Sequence, residues 1–190
     1  EKEMRTVVLY HSYYGASRSY AQALAKKLGL EVYDISHCPD LTDCGAVVYI
    51  GGLYAGRVAG WRQVRHKIPA EARLYLAAVG LSGGQDAALF QRVKEGWSKH
   101  LSASQKERAT FFSLPGVLEF SRLHALHKAM MRVFYWLMAR SGKATQTLMA
   151  SKTGRVDLRD KKALLPVITQ MKKDGVLPQE KAPLDGDKRE

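Results

Sequence analysis

The chain has 190 residues, of which 46% are hydrophobic, so it can bury a core and is not a wholly disordered protein. This length predicts one domain. Thirty lysines and arginines against eighteen acidic residues give a net charge of +12, which favours phosphates, nucleic acid, anionic lipid or a polycarboxylate substrate as partners. Two cysteines exclude a disulfide scaffold, and the longest uncharged run, thirteen residues at 44–56, is too short to cross a bilayer. We therefore expect a cytoplasmic protein.

The positive charge is unevenly distributed along the chain. Residues 120–156 hold seven lysines or arginines and no acidic residue, whereas residues 178–190 carry three positive and four negative side chains. The segment 178–190 is predicted to be a disordered tail. The acid-free segment coincides with an aromatic helical pattern, so the basic charge belongs to one region of the protein.

Short β-rich runs alternate with helical patterns through the first two thirds of the chain. Strands are predicted over residues 6–10, 31–35, 46–50, 73–79 and 110–114. Helices are predicted over 17–28, 61–68 and about 86–100, the first with Ser17 as its N-cap and Gly29 as its end. This alternation predicts an α/β fold with a doubly wound, five-stranded parallel sheet and helices on both faces.

Two further helices are predicted after the fifth strand. A basic helix covers 121–140 and a last helix covers about 160–174. The chain is thus expected to be a single domain over 1–177, in which about 115–156 form a basic segment inserted before the last helix.

The loop after the first strand has the composition of a phosphate site. Ser12 and Ser17 offer hydroxyls, Gly15 lets the backbone approach a ligand closely, and the following helix begins with free N–H groups. The loop lacks the Gly-Lys-Ser/Thr element of a Walker loop, and it lacks G-x-G-x-x-G, which disfavours a dinucleotide. The alternative is a plain turn followed by a helix cap.

The spacing Ser12-x-x-Gly15-x-Ser17 resembles the flavodoxin phosphate signature, in which most members have Thr where this chain has Tyr14. The loop at 51–56 is similar to the one that flanks the flavin ring in flavodoxins, with Tyr54 or Trp61 either stacking on the ring or simply packed, and the loop at 80–84 would supply the opposite side. The resemblance implies a flavodoxin-like fold and an FMN site. Its expected members are Ser12, Tyr13, Tyr14, Gly15, Ala16, Ser17, Gly52, Leu53, Tyr54, Ala55, Gly56, Leu81, Ser82, Gly83 and Gly84.

The loop at 80–84 also fits a different chemistry. Residues 80–84 match G-x-S-x-G between a strand and a helix, which is the context of a hydrolase nucleophile at Ser82. Such a site needs an acidic residue and then a histidine downstream. His100, His124 and His127 lie downstream, and so does Asp157, but no acidic residue between Ser82 and His127 lies in a convincing strand-end loop, and the chain is short for a hydrolase of this fold. A glycine-rich turn without catalytic function is the other reading.

The predicted basic helix is amphipathic in an unusual way. Its projection gathers apolar side chains on one arc: Leu123, Leu126, Met130, Val133, Phe134 and Leu137. The remaining surface carries the expected substrate or membrane face: Arg122, Lys128, Arg132, Trp136 and Arg140. An ordinary helix would turn the apolar arc to the core. The lack of acid and the crowding of Met, Phe, Tyr and Trp instead favour a helix at a membrane surface or a lid over an apolar ligand.

Residues 51–60, the end of the last strand segment at 118–120 and the basic stretch that ends at 138–142 together resemble menaquinone-dependent protoporphyrinogen oxidases, which are flavodoxin-like enzymes. This resemblance implies an FMN-dependent oxidoreductase that passes electrons from a porphyrinogen to a quinone, peripheral on the inner face of a membrane. It implies no catalytic triad, because the flavin carries the redox chemistry. The alternatives are a flavodoxin-type electron carrier, against which the basic charge counts, and a domain that has lost FMN.

Other residues carry weaker signals. Cys38, Cys44 and His37 are too few and too widely spaced for a typical zinc site, so no metal is expected. His124 and His127 have no evident further ligand and are expected to contribute interfacial charge at low pH. No nucleic-acid-binding motif accompanies the basic charge, which makes nucleic acid an unlikely partner. The sequence does not specify the oligomeric state.

Overall fold

The computed structural model describes residues 5–54, 56–81, 87–142 and 155–177. Its helices are α1 (Ala16–Leu28), α2 (Trp61–Val64), α3 (Ala87–Ser98), α4 (Ala103–Arg108), α5 (Ala125–Arg140) and α6 (Leu165–Lys173). Its strands are β1 (Arg5–His11), β2 (Glu31–Asp34), β3 (Cys44–Tyr54), β4 (Arg57–Val58), β5 (Arg73–Gly80), β6 (Ala109–Pro115), β7 (Val117–Glu119) and β8 (Arg155–Asp157).

The central sheet has the predicted doubly wound, parallel arrangement. Its five parallel strands lie in the order β2-β1-β3-β5-β6, and β4 adds a short antiparallel pairing at the end of β3. The expected α/β class is therefore confirmed. The three inner strands, β1, β3 and β5, contain continuous buried apolar runs because both faces of a parallel sheet are covered by helices.

Two apolar layers hold the helices against the sheet. On one face, α1 and α6 pack on β-strand side chains, with Leu24 and Met171 fully buried. On the other face, α2 and α3 bring Trp61 and Trp97 against Tyr49. Successive residues of a strand serve opposite layers, so each strand ties the two layers together. The carboxyl ends of β1, β3, β5 and β6 meet at one edge of the sheet.

Several element boundaries differ from the sequence prediction. The first helix is capped by Gly15 rather than by Ser17, which lies inside the first turn. The expected loop at 51–56 is largely strand, because β3 continues through its glycines to Tyr54. The sequence missed α4, whose start is a capping box between Ser102 and Gln105, and it missed the β7–β8 pair. The last helix is split into a 3-10 turn at Lys161–Leu164 and α6.

The basic helix begins later than predicted and turns most of its apolar arc away from the domain, although Leu123 of that arc is buried and Met130 is half-buried. It begins at Ala125, so Arg122 lies in a preceding 3-10 turn. Tyr135 is the buried side chain of α5, whereas Leu126, Val133 and Leu137 are exposed. The packed side of α5 is thus centred on Tyr135, opposite to these exposed side chains.

A partly buried hydrogen-bond group anchors the end of α6 to the sheet. The Tyr75 hydroxyl on β5 donates to Asp174 Oδ2 at 2.7 Å, and Gln170 Nε2 donates to Oδ1 of the same carboxylate at 3.0 Å. Burial of Asp174 opposes its ionisation. The hydrogen bonds from Tyr75 and Gln170, aided by the charge of Arg73, outweigh burial and hold the pKa of Asp174 below its ordinary value.

Removing the Tyr75 hydroxyl should cost stability in a pH-dependent way. We expect Tyr75→Phe to lower the free energy of unfolding by about 1.5 kcal/mol at pH 7, as for a hydrogen bond to a charged group. Because folding lowers the pKa of Asp174, the ionised carboxylate stabilises the fold above its unfolded pKa, and that stabilisation is lost as the pH falls through the folded value. Urea unfolding at pH 7 and at about pH 3 should show a smaller difference from wild type in acid. Equal differences at both pH values would contradict this account.

Candidate functional site

A cavity lies at the edge where the carboxyl ends of the parallel strands meet. It opens beside the crevice between β1 and β3, where the order of the strands reverses, and this is the position at which open α/β sheets bind ligands. The volume of the cavity, including its opening to solvent, is about 690 Å³. Its lining comprises Ser12, Tyr14, Ala16, Ser17, Gly52, Leu53, Tyr54, Val79, Gly80, Leu81, Gly116, Val117, Leu118, Leu123, His127, Met130 and Met131.

The β1–α1 loop presents polar groups at one side of this cavity. Gly15 has a φ of +90° and caps α1 without a side-chain hydrogen bond. The Gly15 N–H donates to Ser12 Oγ at 2.9 Å, which folds the loop into a tight turn. Buried Ser17 also lines the cavity, next to the first-turn N–H groups of α1. Hydroxyls beside a helix N-terminus make a donor set suited to a phosphate.

Tyr14 is turned away from that donor set and towards α5. Its hydroxyl oxygen lies 2.6 Å from His127 Nδ1 and accepts a hydrogen bond from the His124 N–H at 3.3 Å. Partial burial raises the pKa of Tyr14. The residue that departs from the flavodoxin signature therefore does not offer its hydroxyl to a phosphate. It joins the first loop to the inserted helix.

Aromatic rings form the wall on the β3 side. The Tyr54 ring lies directly over Gly52, where an added Cβ atom would come within 2.7 Å of it. The same ring stacks on His127, with centroids 5.1 Å apart and planes at 10°. Burial raises the pKa of Tyr54 well above its ordinary value. Trp61, the other candidate for stacking, is buried against Tyr49 and does not line the cavity.

The remaining walls come from the end of β5, from Gly116 and β7, and from α5. The Gly116 N–H donates to the Gly80 carbonyl at 2.8 Å, which draws the chain after β6 against the end of β5. The Tyr20 hydroxyl of α1 donates to the Pro115 carbonyl at 2.6 Å and fixes that end of β6. Met130 and Met131 of α5 complete an apolar surface. The cavity thus joins a polar loop to a mostly apolar, aromatic chamber.

The structure brings together part of the predicted cofactor set. Eight predicted members line the cavity: Ser12, Tyr14, Ala16, Ser17, Gly52, Leu53, Tyr54 and Leu81. Tyr13 is 47% exposed and contacts the Tyr54 ring edge-on. Gly15 faces a second, outer cleft beside Arg18, and Gly56 is exposed outside the lining. Ala55, Ser82, Gly83 and Gly84 lie outside the described residues.

Sequence reasoning missed the contribution of the inserted segment. His127, Met130 and Met131 line the cavity together with residues 116–118. The available signal was the Met-rich pattern of α5, which the sequence analysis associated with a lid without assigning residues to it. His127 was treated as interfacial charge, because its partner Tyr14 lies 113 residues earlier in the chain.

The predicted substrate or membrane face does not line the cavity. Arg122 pairs with Glu119 at 3.5 Å, and Arg140 lies over the Trp136 ring at 5.4 Å. Arg132 is exposed and Lys128 is half-buried on α5. These side chains belong to the outer surface of the inserted segment.

Two rival site chemistries gain no support from the geometry. The hydrolase hypothesis rests on Ser82, which lies outside the described residues, and on an acid, yet Asp157 is already paired with Arg159 at 2.6 Å and Arg155 at 2.9 Å. Within the described ranges, no group of His, Cys, Asp and Glu side chains has the arrangement of a metal site. Burial raises the pKa of the Cys44 thiol to about 11, which disfavours the thiolate that a metal would bind.

No helix in the described part of the chain is long and apolar enough to cross a membrane.

The sheet order and the loop–cavity arrangement define a flavodoxin-like α/β protein. A family model described as "Flavodoxin domain" matches residues 7–145, and the chain belongs to this family. Among curated proteins, none matches the chain.

Several solved structures are similar to parts of this chain. Rubredoxin oxygen:oxidoreductase from Desulfovibrio gigas is 14% identical with a TM-score of 0.43, covering 80% of this chain and 39% of its own. A flavodoxin from the domain Archaea is 11% identical with a TM-score of 0.42, covering 74% of this chain and 100% of its own. A variant flavodoxin from Pseudomonas aeruginosa is 17% identical with a TM-score of 0.37, and the match covers 74% of this chain and 100% of the flavodoxin.

Proposed function

We propose that the cavity binds FMN and that the protein is an FMN-dependent oxidoreductase, which passes electrons from a porphyrinogen-type donor to a quinone. The observation that carries the FMN assignment is the joining of two unlike surfaces in one cavity. A hydroxyl-rich loop at a helix N-terminus suits a phosphate, and the adjoining aromatic and apolar walls suit a flat ring system. FMN has both parts, whereas a free phosphate would leave the apolar chamber unused.

The residues of the loop would hold the phosphate end. Ser12 Oγ and Ser17 Oγ would contact phosphate oxygens, and the N–H groups at the start of α1 would add the positive end of the helix dipole. The Gly15 N–H, which donates to Ser12 Oγ in this structure, would donate to a phosphate oxygen instead. Tyr14 takes no part in this contact.

The ring end would lie among Leu53, Tyr54, His127 and Met131, which form the apolar and aromatic walls. Bound FMN supplies the transfer of electrons, and the surrounding residues orient its ring and exclude water. Because Tyr14 Oη accepts from the His124 N–H, its own proton is free to be shared with His127 Nδ1 when that nitrogen carries none. This pair holds a proton at the wall of the chamber.

The donor and acceptor are assigned from chemistry and resemblance. A porphyrinogen carries anionic propionates and a quinone is apolar. The net charge of +12 suits the first, and the apolar walls with Met130 and Met131 suit the second. The similarity of the inserted segment to protoporphyrinogen oxidases supports the same pair. A carrier that exchanges electrons only with other proteins is the contrasting function.

The visible spectrum of the purified protein tests the cofactor. We expect a yellow protein with a flavin spectrum, release of FMN on denaturation, and uptake of one FMN per chain by the apoprotein. A colourless protein that takes up no FMN on titration would refute the assignment. Reoxidation of the reduced protein by a soluble quinone analogue, together with porphyrinogen turnover, would distinguish the enzyme from a carrier.

A further inference from the structure

The chamber has few groups that can exchange a proton. Among the described residues that line it there is no aspartate, glutamate, lysine or arginine, and the ionisable members are Tyr14, Tyr54 and His127. Burial raises the pKa of both tyrosines, which makes each a weaker acid than an ordinary phenol. Histidine is the side chain that releases and takes up protons near neutral pH. Proton exchange with a ligand in the chamber therefore falls to His127.

His127 is held by two aromatic residues from distant parts of the chain. Its ring lies flat on the ring of Tyr54, and its Nδ1 atom lies 2.6 Å from the hydroxyl oxygen of Tyr14. That oxygen already accepts the His124 backbone N–H at 3.3 Å. If Nδ1 carried a proton, the hydroxyl proton of Tyr14 would have no acceptor among the described residues. The pairing that satisfies both groups has Tyr14 donating to Nδ1.

This hydrogen bond decides which nitrogen of His127 is the donor. In a neutral imidazole one ring nitrogen carries the proton and the other accepts, so an accepting Nδ1 leaves the proton on Nε2. Nε2 has no hydrogen-bond partner in the described part of the chain, and the residue lines the chamber. His127 thus offers a proton to a ligand from a ring whose position is fixed.

We propose that His127 is the proton donor to the electron acceptor and that Tyr14 positions it. This proposal rests on the proposed function, in which a quinone is reduced in the chamber. Reduction of a quinone to a quinol consumes two electrons and two protons. Both electrons and one proton arrive as a hydride equivalent from the reduced cofactor, and the second proton passes from His127 Nε2 to a quinone oxygen.

The proton that leaves Nε2 is balanced within the same pair. As the Nε2–H bond breaks, Nδ1 takes the hydroxyl proton of Tyr14, so the imidazole stays neutral and the negative charge moves to the tyrosine oxygen. A quinol oxygen and a tyrosine oxygen are both phenolic, so the transfer is close to balanced in free energy. The Tyr14 oxygen keeps the hydrogen bond from the His124 N–H. Uptake of one proton from water at Nε2, with return of the Nδ1 proton to Tyr14, restores the pair.

This role explains the residue at which the first loop departs from the flavodoxin signature. A threonine hydroxyl is attached to Cβ, whereas the hydroxyl of Tyr14 lies at the far end of a ring and reaches α5. The loop gives up one hydroxyl near the phosphate site, and the chamber gains a fixed proton donor.

Reoxidation of the reduced, FMN-loaded protein by two different acceptors tests this role. A soluble quinone analogue consumes protons, whereas ferricyanide takes electrons alone. We expect His127→Phe, which keeps a ring against Tyr54, to slow reoxidation by the quinone about 100-fold, and Tyr14→Phe to slow it about tenfold. Reoxidation by ferricyanide should be unchanged in both variants. The matched control is Tyr33→Phe, which removes a hydroxyl from β2 away from the cavity and should behave like wild type.

Nitrogen NMR of the protein without cofactor supplies a readout that does not depend on activity. Protonated and unprotonated imidazole nitrogens have well separated chemical shifts. In mildly alkaline buffer we expect His127 to carry its proton on Nε2 and none on Nδ1. The hydroxyl proton of Tyr14 should give a resolved downfield signal, which should be absent from Tyr14→Phe.

Three results would overturn the inference: a proton on Nδ1 of neutral His127, unchanged reoxidation by the quinone in His127→Phe, or equal slowing with the quinone and with ferricyanide. The last result would mean that the substitution deforms the chamber. Titration with FMN is carried out first on every variant. Failure of the wild-type apoprotein to take up FMN refutes the proposed function and this inference together, whereas uptake of FMN followed by any of the three results refutes this inference alone.

Discussion

Replacing Gly60 with alanine is expected to destabilise the protein by about 3 kcal/mol, as the sum of backbone strain and overpacking. Gly60 has a φ of +79°, a region in which a residue with a Cβ atom is strained. An added Cβ atom would also lie 2.6 Å from Ile35 Cδ1 and 2.7 Å from both His11 Cβ and Tyr49 Oη. These neighbours belong to the packed layer on the α2 face, so they have little room to move.

Gly29 offers a matched control for this substitution. It also has a positive φ, +66°, but no atom lies within 4 Å of an added Cβ. Gly29→Ala should therefore cost only the backbone strain, about 1 kcal/mol. Urea unfolding of both variants, followed by tryptophan fluorescence, separates the two contributions. If the two variants lose the same free energy, contact with Ile35, His11 and Tyr49 is not what makes Gly60 necessary.

The strands of this fold are predictable because burial on both sides leaves a continuous apolar run. The run at 46–50 was recognised, yet β3 extends to Tyr54. Its two glycines read as a turn in sequence, but in the sheet Gly51 and Gly52 pair with Ala78 and Val79. Glycine has no intrinsic preference for a strand, so neighbouring strands decide its conformation, and a single sequence does not show them.

The orientation of α5 could not be read from its pattern. The projection separates an apolar arc from the rest, but it does not say which arc meets the domain. Here Tyr135, His127 and Met131 face inward, whereas Leu126, Val133 and Leu137 are exposed. The packed arc depends on the contact of His127 with Tyr14 and Tyr54, which come from two distant loops. Only the fold brings these groups together.

The first loop of the site was predicted better than the others. Ser12, Gly15 and Ser17 are close in sequence, so local geometry fixes their positions relative to the start of α1. The error was in the role of Ser17, since Gly15 takes the N-cap position with a left-handed backbone. The chamber walls come from four strand ends and α5, and they had no local signature.

Replacing Ser12 with aspartate is expected to weaken FMN binding by about 100-fold while leaving riboflavin binding nearly unchanged. A carboxylate at this position would accept the Gly15 N–H that Ser12 Oγ now accepts at 2.9 Å, and the helix dipole would favour it. The fold should therefore tolerate the change. The same carboxylate would repel the phosphate of FMN and occupy its donors. Riboflavin has no phosphate, so it loses neither interaction.

Ser102→Asp is the matched control. Ser102 Oγ caps α4 by accepting a hydrogen bond from the Gln105 N–H at 3.2 Å, and an aspartate can make the same cap. The substitution therefore adds the same negative charge at a helix start that lies away from the cavity. It should leave both affinities at their wild-type values. Isothermal titration with each ligand makes the comparison. Equal losses for FMN and riboflavin in Ser12→Asp would mean that the chamber has been deformed. Unchanged FMN affinity would mean that the phosphate lies elsewhere, since a negative charge within the donor set of a bound phosphate cannot be neutral in energy.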